Sequence, residues 1–362
     1  MKATRREFLG GLTALGGWLL LACEGDAGKG SRGNPNGTGG NESDPGTFVL
    51  GETKPSAENT GLAVLGLIPS DLTTVPGNVT HEANDLVFEK QRFAGKVNIS
   101  GKRITYRNCW FNGPHTETQA LAQCSHVNCE QIVFENCLFL PSSFGSSATE
   151  ALANCVFGHD FELRRCDLSG AVDCVGLYSG VATEPARNVS ILGSFLHDMT
   201  YYSPDPGQSD NQTHNDGIQI HRGAQHLRVF GTTILATLDP LVGQASDPPK
   251  TGTGGEHLSG NEHYPNLHSM SGFMFSPVDL TAGIQDIEID KNWLSFGMVH
   301  INWPRDDGSN VRITNNRWGG ATFLTTGAGD PIYILMLAGQ SATISGNAFE
   351  ATGVAYDRRS NG

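Results

Sequence analysis

Apolar and polar residues alternate in short runs along most of the chain, and each run breaks at a turn-forming pair. The runs are ITYRNCWF (104–111), IVFENCLF (132–139), FELRRCDL (161–168) and VSILGSFL (189–196), then LRVFGTTI (227–234), IEIDKNWL (287–294), VRITNNRW (311–318) and ATISGNAF (342–349). All eight fit one template: apolar, any, apolar, any, turn pair, any, apolar. Period-two alternation over so few residues predicts half-buried strands, and the pair predicts a sharp bend between two of them. The first four copies recur every 28 or 29 residues.

Another column of runs lies between these copies. VDCVGLYSG (172–180) aligns without gaps on NDGIQIHRG (215–223), and SGFMFSP (271–277), GMVHINWP (297–304) and PIYILMLAG (331–339) hold the same place later. Each copy therefore predicts three short strands. Such a unit cannot bury its apolar face alone, whereas stacked units bury a continuous core with strands pairing in parallel from coil to coil. The expected fold is an all-β, single-chain parallel β-helix of about eight coils. A leucine-rich repeat has a similar period but needs convex segments and a Leu signature that are missing.

The bend column reads Cys109, Cys137, Cys166, Ser194, Thr232, Asn292, Asn316, Asn347. Small polar residues stacked there suit a left-handed or bridge-region backbone and hydrogen bonds between coils, with Asn108, Asn136, Asn315 and Asn316 at the bends. Cys109, Cys137 and Cys166 fall one above another, and Cys124, Cys155 and Cys174 suggest a second stack. Parallel Cβ vectors favour thiols over disulfides, although an exported chain permits either.

The first 22 residues stand apart. Thr4-Arg5-Arg6-Glu7-Phe8-Leu9-Gly10 resembles a twin-arginine export signal, and Leu20-Leu21-Ala22-Cys23 resembles a lipobox, which implies lipidation of Cys23. A soluble exported protein cleaved elsewhere is the alternative. Residues 24–46 contain no apolar run and read as a Gly/Asn/Ser-rich tether. The expected organisation is a signal peptide over 1–22, a tether over 23–46 and a β-helix domain with an N-terminal cap over 47–362. The expected location is exported and lipid-anchored in the bacterial cell envelope, periplasmic or at the cell surface. Charged residues make up only 17% of the chain, with 46 Gly and a formal net charge of -13. No basic stripe is present to neutralise phosphates, which argues against nucleic acid. The only membrane contact expected is the lipid, and a monomer is expected.

The segments ENTGLAVLGLIPSDLTTVPGNVT, CDLSGAVDCVGL and HNDGIQIH, together with the asparagine half of the bend column, resemble exported bacterial right-handed β-helix proteins of the pectate-lyase-like superfamily. The resemblance covers roughly residues 59–350 and implies a right-handed helix with ligands held in a groove on one sheet. It is specific for fold and weakly specific for reaction. Cys174 stands where such a strand usually carries Gly. Neither a polygalacturonase-like Asp triplet with Gly-His-Gly nor the Asp-Pro-His of alginate epimerases is present.

That groove would use the sheet containing Asp216–His221. If Ile218 and Ile220 point inward, alternation turns Gln219 and His221 outward; with Val299 and Ile301 inward, His300 and Asn302 follow. Tyr178 joins them one coil below. Long segments, 198–215 and 236–270, lead into this sheet, and long loops are commonly functional. The expected catalytic candidates are Asp216, His214, His221 and Asp198, with Asp216 first and held by His214 or His197. Tyr178, Gln219, Arg222, His300, Asn302, Trp303 and Arg305 are expected to bind substrate. Competing readings remain: Asp216 and Asp173 as turn acceptors, His197-Asp198 as an exposed turn pair, His221 and His300 as surface histidines, Trp303 as a core residue. His257, His263 and His268 lack tight ligand spacing, so no metal site is expected; Ca²⁺ stays open as a bridge to an acidic sugar.

Two functions fit. One is a polysaccharide lyase or glycoside hydrolase acting on an extracellular glycan, since elimination needs a base and a cation and hydrolysis needs two carboxyls. The other is a non-catalytic glycan-binding or adhesive surface lipoprotein. Few aromatic residues are placed for a binding stripe, which favours the enzyme.

Overall fold

Every repeat contributes its three strands, and strands of successive repeats pair in parallel. Three sheets result, of ten, ten and nine strands. Sheet 1 contains Asn154–Gly158, Asp173–Leu177, Asn215–Ile220, Ser269–Phe275 and Val299–Trp303; sheet 2 contains the strands before the bend, such as Lys102–Arg107 and Ile284–Asp290; sheet 3 contains those after it, such as Trp110–Phe111 and Trp293–Ser295. The chain winds from sheet 1 to 2 to 3 as a right-handed parallel β-helix. All eight template copies occupy adjacent rungs of sheet 2, and one further coil, beginning at Thr73–Val75, precedes them. The computed structural model describes residues 47–114, 120–143, 153–181, 183–200, 213–235, 269–275, 283–295, 297, 299–303, 308–320, 322, 332–336 and 341–361. Cys23 and the segments 1–46, 201–212 and 236–268 lie outside the described residues.

Two bends per coil adopt positive φ. Between sheets 2 and 3 the column is Lys90, Asn108, Asn136, Arg165, Gly193, Gly231, Lys291, Asn315 and Gly346. Between sheets 1 and 2 it is Asp85, Arg103, Gln131, Asp160, Asn188, His226, Asp286 and Asn310, which the repeat template did not reveal. Asn and Asp tolerate this region because their short side chains bond locally. At the first bend an asparagine ladder forms. Asn292 Nδ2 donates to Asn316 Oδ1 (3.0 Å), Asn316 Nδ2 to Asn347 Oδ1 (2.9 Å), and Asn347 Nδ2 to Asp357 Oδ1 (2.8 Å). Ser194 and Thr232 continue it toward Cys166.

The core is stacked along the helix axis. Phe111 lies on Phe139 with centroids 4.5 Å apart, and Tyr106 on Phe134 at 5.1 Å. Cys109, Cys137 and Cys166 stack beside them as buried thiols, and Cys124, Cys129, Cys155 and Cys174 are also free. The second stack holds Cys155 and Cys174 only. Cys124 pairs in register with Gly158, not with Cys155, so spacing alone misplaced it by three positions.

Residues 48–61 form a strap outside the first bend. The strap crosses at Gly231, where a Cβ would stand 2.6 Å from Gly51 N, so only glycine admits it. Arg165 stacks its guanidinium 4.2 Å from the Phe48 ring centre, Gly61 N–H donates to Arg165 O, and Lys54 pairs with Glu350.

Candidate functional site

Sheet 1 departs from simple alternation at the start of its strands. Cys174 and Val175 are consecutive, yet both are buried in the core. In the next coil a Cβ on Gly217 would press on Ile234 of sheet 3, so this position points inward, as does Ile218 beside it. The strand thus turns a corner between these rows. The row before the corner faces outward and holds Asn154, Asp173, Asp216 and Ser271, in register on successive coils. The register also shifts between Asn215 and Asp216.

These four residues form a hydrogen-bonded series. Asn154 Nδ2 donates to Asp173 Oδ2 (3.4 Å), Asp216 N–H donates to Asp173 Oδ1 (2.9 Å), and Ser271 Oγ donates to Asp216 Oδ1 (2.7 Å). Asp216 is 0% exposed, and its Oδ2 has no hydrogen-bond partner. Burial pushes its carboxyl up to about 7, against the lowering effects of the Ser271 hydroxyl and His214. A buried carboxyl half-protonated near neutral pH can give or take a proton at little cost.

The outer row beyond the corner carries a platform. Phe157, Gly176, Gln219, Met274 and Asn302 are in register there. Gly176 leaves room for Phe157 and Asn154: an added Cβ would lie 2.6 Å from the Phe157 ring and 2.8 Å from Asn154 Nδ2. Phe157 stacks on Tyr178 (5.4 Å), meets His221 edge-on (5.6 Å), and Arg222 lies over Tyr178 (4.8 Å). Since Asn154 and Phe157 both rest against Gly176, the polar series and the platform form one surface. Tyr178, Gln219, His221 and Arg222 are half-buried on it, as their outward placement requires. Asn154, Phe157, Asp173 and Ser271 were missed as site residues. The signal was present: NCVFG (154–158) aligns on DCVGL (173–177), another copy of the column.

Other expected site residues lie elsewhere. His300 shares the row of the inward corner, not the outward one. It is 1% exposed and packs between Trp318 (5.4 Å) and Tyr333 (4.9 Å), with neither ring nitrogen in a well-formed hydrogen bond and the Gly319 backbone as a weak polar contact. Burial lowers its pKa to about 3, so it is a neutral core imidazole and no substrate ligand. Trp303 is 0% exposed and stacks on Phe275 (4.4 Å), which makes it a core residue. Asn302 does face outward but is buried, with Oδ1 unpartnered. His197 does not hold Asp216, because Asp167 binds its Nε2 and Asp198 its Nδ1, both at 2.8 Å. Burial would lower its pKa, but the two carboxylates outweigh that and raise it to about 9. Asp198 is therefore half of an ion-pair clamp. Arg305 lies outside the described residues.

A cleft of about 600 Å³ opens on sheet 2, bordered by Lys102, Glu130, Asp160 and Arg187. Its charges are already paired across coils, Lys102 with Glu130 (2.6 Å) and Arg187 with Asp160 (3.2 Å), as on an ordinary solvated face. Among the described residues, no group of three His, Cys, Asp or Glu is placed to hold a metal ion. Searches of protein-family models, curated proteins and solved structures found no match to this chain.

Proposed function

We propose that this protein is a carbohydrate-active β-helix that cleaves an extracellular polysaccharide, with Asp216 as its general acid or base. The observation that carries this reading is the buried Asp216 carboxyl, raised to about 7 and with one oxygen unpartnered, beside an aromatic and cationic platform. Phe157 and Tyr178 offer ring faces to a sugar, His221 offers a ring nitrogen for hydrogen bonding, and Arg222 offers charge-assisted donors. A neutral acid beside a second carboxyl, Asp173, favours hydrolysis over elimination. In that reaction Asp216 gives its proton to the glycosidic oxygen as the glycosidic C–O bond breaks. Asp173, one rung away at about 4.8 Å, has the spacing of a retaining nucleophile, and the glycosyl ester it forms is then hydrolysed by water that gives its proton to Asp216. The reading requires substrate access to the outer face of sheet 1, which segments 201–212 and 236–268 adjoin in the sequence. The twin-arginine and lipobox-like residues support an exported protein anchored through Cys23, and the pattern supports a place in the pectate-lyase-like superfamily.

The test is incubation with a panel of uronate and neutral polysaccharides. New reducing ends without an unsaturated-uronate absorbance mark hydrolysis; that absorbance marks a lyase. With a substrate in hand, Asp216→Asn should reduce turnover about 100-fold or more. A folded Asp216→Asn protein with full turnover removes the catalytic role, and binding of a glycan without cleavage identifies a surface lectin instead.

A further inference from the structure

We propose that Ser271 is a positioning residue that fixes the acidic proton of Asp216 on Oδ2, the oxygen left without a hydrogen-bond partner. The inference rests on the reading of Asp216 as general acid and adds what decides which of its oxygens reacts.

Geometry distinguishes the two oxygens. Oδ1 accepts the Ser271 hydroxyl at 2.7 Å, and Oδ2 has no hydrogen-bond partner. A neutral carboxyl keeps its carbonyl where donors converge and its O–H where none does. The Ser271 backbone amide is a further favourable contact to the carboxyl. One coil earlier Asp173 differs: its Oδ1 accepts the Asp216 N–H and its Oδ2 accepts Asn154 Nδ2, so both of its oxygens are bonded and, of the two acids, only Asp216 has one left over. Asp173 fixes the backbone of Asp216, and Ser271 fixes its carboxyl. Ser271 is itself 0% exposed and in register with Asp216, so its hydroxyl has little freedom to turn away. Among the described residues, the titratable groups facing Asp216 are His214, just before its strand, and Asp173 on the preceding coil.

Two measurements on the full chain, neither needing a substrate, test this. The first follows the Asp216 carboxyl carbon by NMR through a pH titration, assigned by its loss in Asp216→Asn. Ser271→Ala removes a donor that favours the carboxylate, so the midpoint should rise by about one pH unit or more. Ser271→Thr keeps the hydroxyl and should leave the midpoint near the wild-type value. The second follows the carbonyl stretch of the neutral acid by difference infrared spectroscopy. With Oδ1 as the accepting carbonyl, Ser271→Ala should move the stretch to higher frequency; a proton on Oδ1 would leave it nearly still. If Ser271→Ala fails to fold, Ser271→Cys supplies a weak donor of similar size, and the same two shifts are expected at reduced amplitude. An unmoved midpoint or an unmoved stretch in a folded variant overturns the positioning role. Full turnover by Asp216→Asn, in contrast, overturns the general-acid reading while leaving the spectroscopic comparison intact.

Discussion

His197 and His300 are both buried imidazoles, and their partners give them opposite chemistry. His197 lies between Asp167 and Asp198 and holds a proton up to about pH 9. Its folded pKa lies above the unfolded value of about 6.5. The stability it contributes is therefore complete below pH 6.5 and is lost as pH rises through 9. His197→Gln should abolish that alkaline loss, read as a flatter melting temperature between pH 6.5 and 9; an unchanged slope would show the clamp to be uncharged. His300 works in the other direction. Its folded pKa, near 3, lies below the unfolded value, so the unfolded chain binds the proton first and stability falls as pH drops from 6.5 toward 3. It packs between Trp318 and Tyr333 with neither nitrogen in a well-formed hydrogen bond, and the Gly319 backbone is a weak polar contact that burial outweighs. His300→Phe should be neutral or stabilising by about 1 kcal/mol at pH 7, and more so at pH 5, by urea denaturation. A loss above about 2 kcal/mol would mean the imidazole has an unseen polar role.

At the scale of strands and bends, stability depends on hydrogen bonds that repeat from coil to coil. Asn316 is at the centre of the ladder: its amide nitrogen donates to Ile289 O and Asn347 Oδ1, and its oxygen accepts from Asn292. Asn316→Ala strands several buried groups at once and should cost about 3 kcal/mol or more by chemical denaturation, since each stranded group costs about 1–3. Gln131 is the contrasting case, an exposed residue at φ 57 with no special fitness for it. Gln131→Gly should stabilise by about 0.5–1 kcal/mol, and a loss would show its side chain to be holding the bend. These elements also show what was legible in the chain. The ladder could be read directly, because its small polar residues recur at one template position between apolar ones. The second bend column could not, because Arg103, Gln131 and His226 share a backbone angle rather than a chemistry. The outward placement of Tyr178, Gln219 and His221 followed from alternation beyond the corner. Alternation fails before the corner, where two consecutive residues face inward; that is why His300 was expected outside and why, although Asp173 and Asp216 were read at one strand start, Asn154 and Ser271 were not joined to them. Trp303 was undecidable from spacing, since a sugar platform and a core ring fit the same strand end.

Over the whole molecule, the repeat itself makes stability local, because each coil touches only the coils above and below. Such an array should fray from its ends. The strap of residues 48–61 opposes this by joining coils that are not neighbours. Its Gly61 and Phe48 engage the coil of Arg165, Phe48 and Leu50 press on Gly193, Gly51 meets Phe230, and Lys54 reaches Glu350. The Lys54–Glu350 pair is exposed on both sides and contributes little alone. Packing of Phe48, half-buried, and of the more exposed Leu50 against the bend column is the larger part, on the order of 1–3 kcal/mol. The coil of Ile132 is approached by Gly61, where an added Cβ would stand 3.5 Å from Cys137 O, and a chain that begins at Gly61 keeps this residue, so loss of residues 48–60 should be felt from Arg165 onward. A chain lacking residues 1–60 should therefore keep its protection against hydrogen exchange over 104–139. Over 287–318 it should exchange at least tenfold faster, as about 1.4 kcal/mol of lost local stability implies. Equal acceleration in both regions would mean the strap acts on the molecule as a whole, and none in either would mean that the stacked coils already unfold as one unit without it.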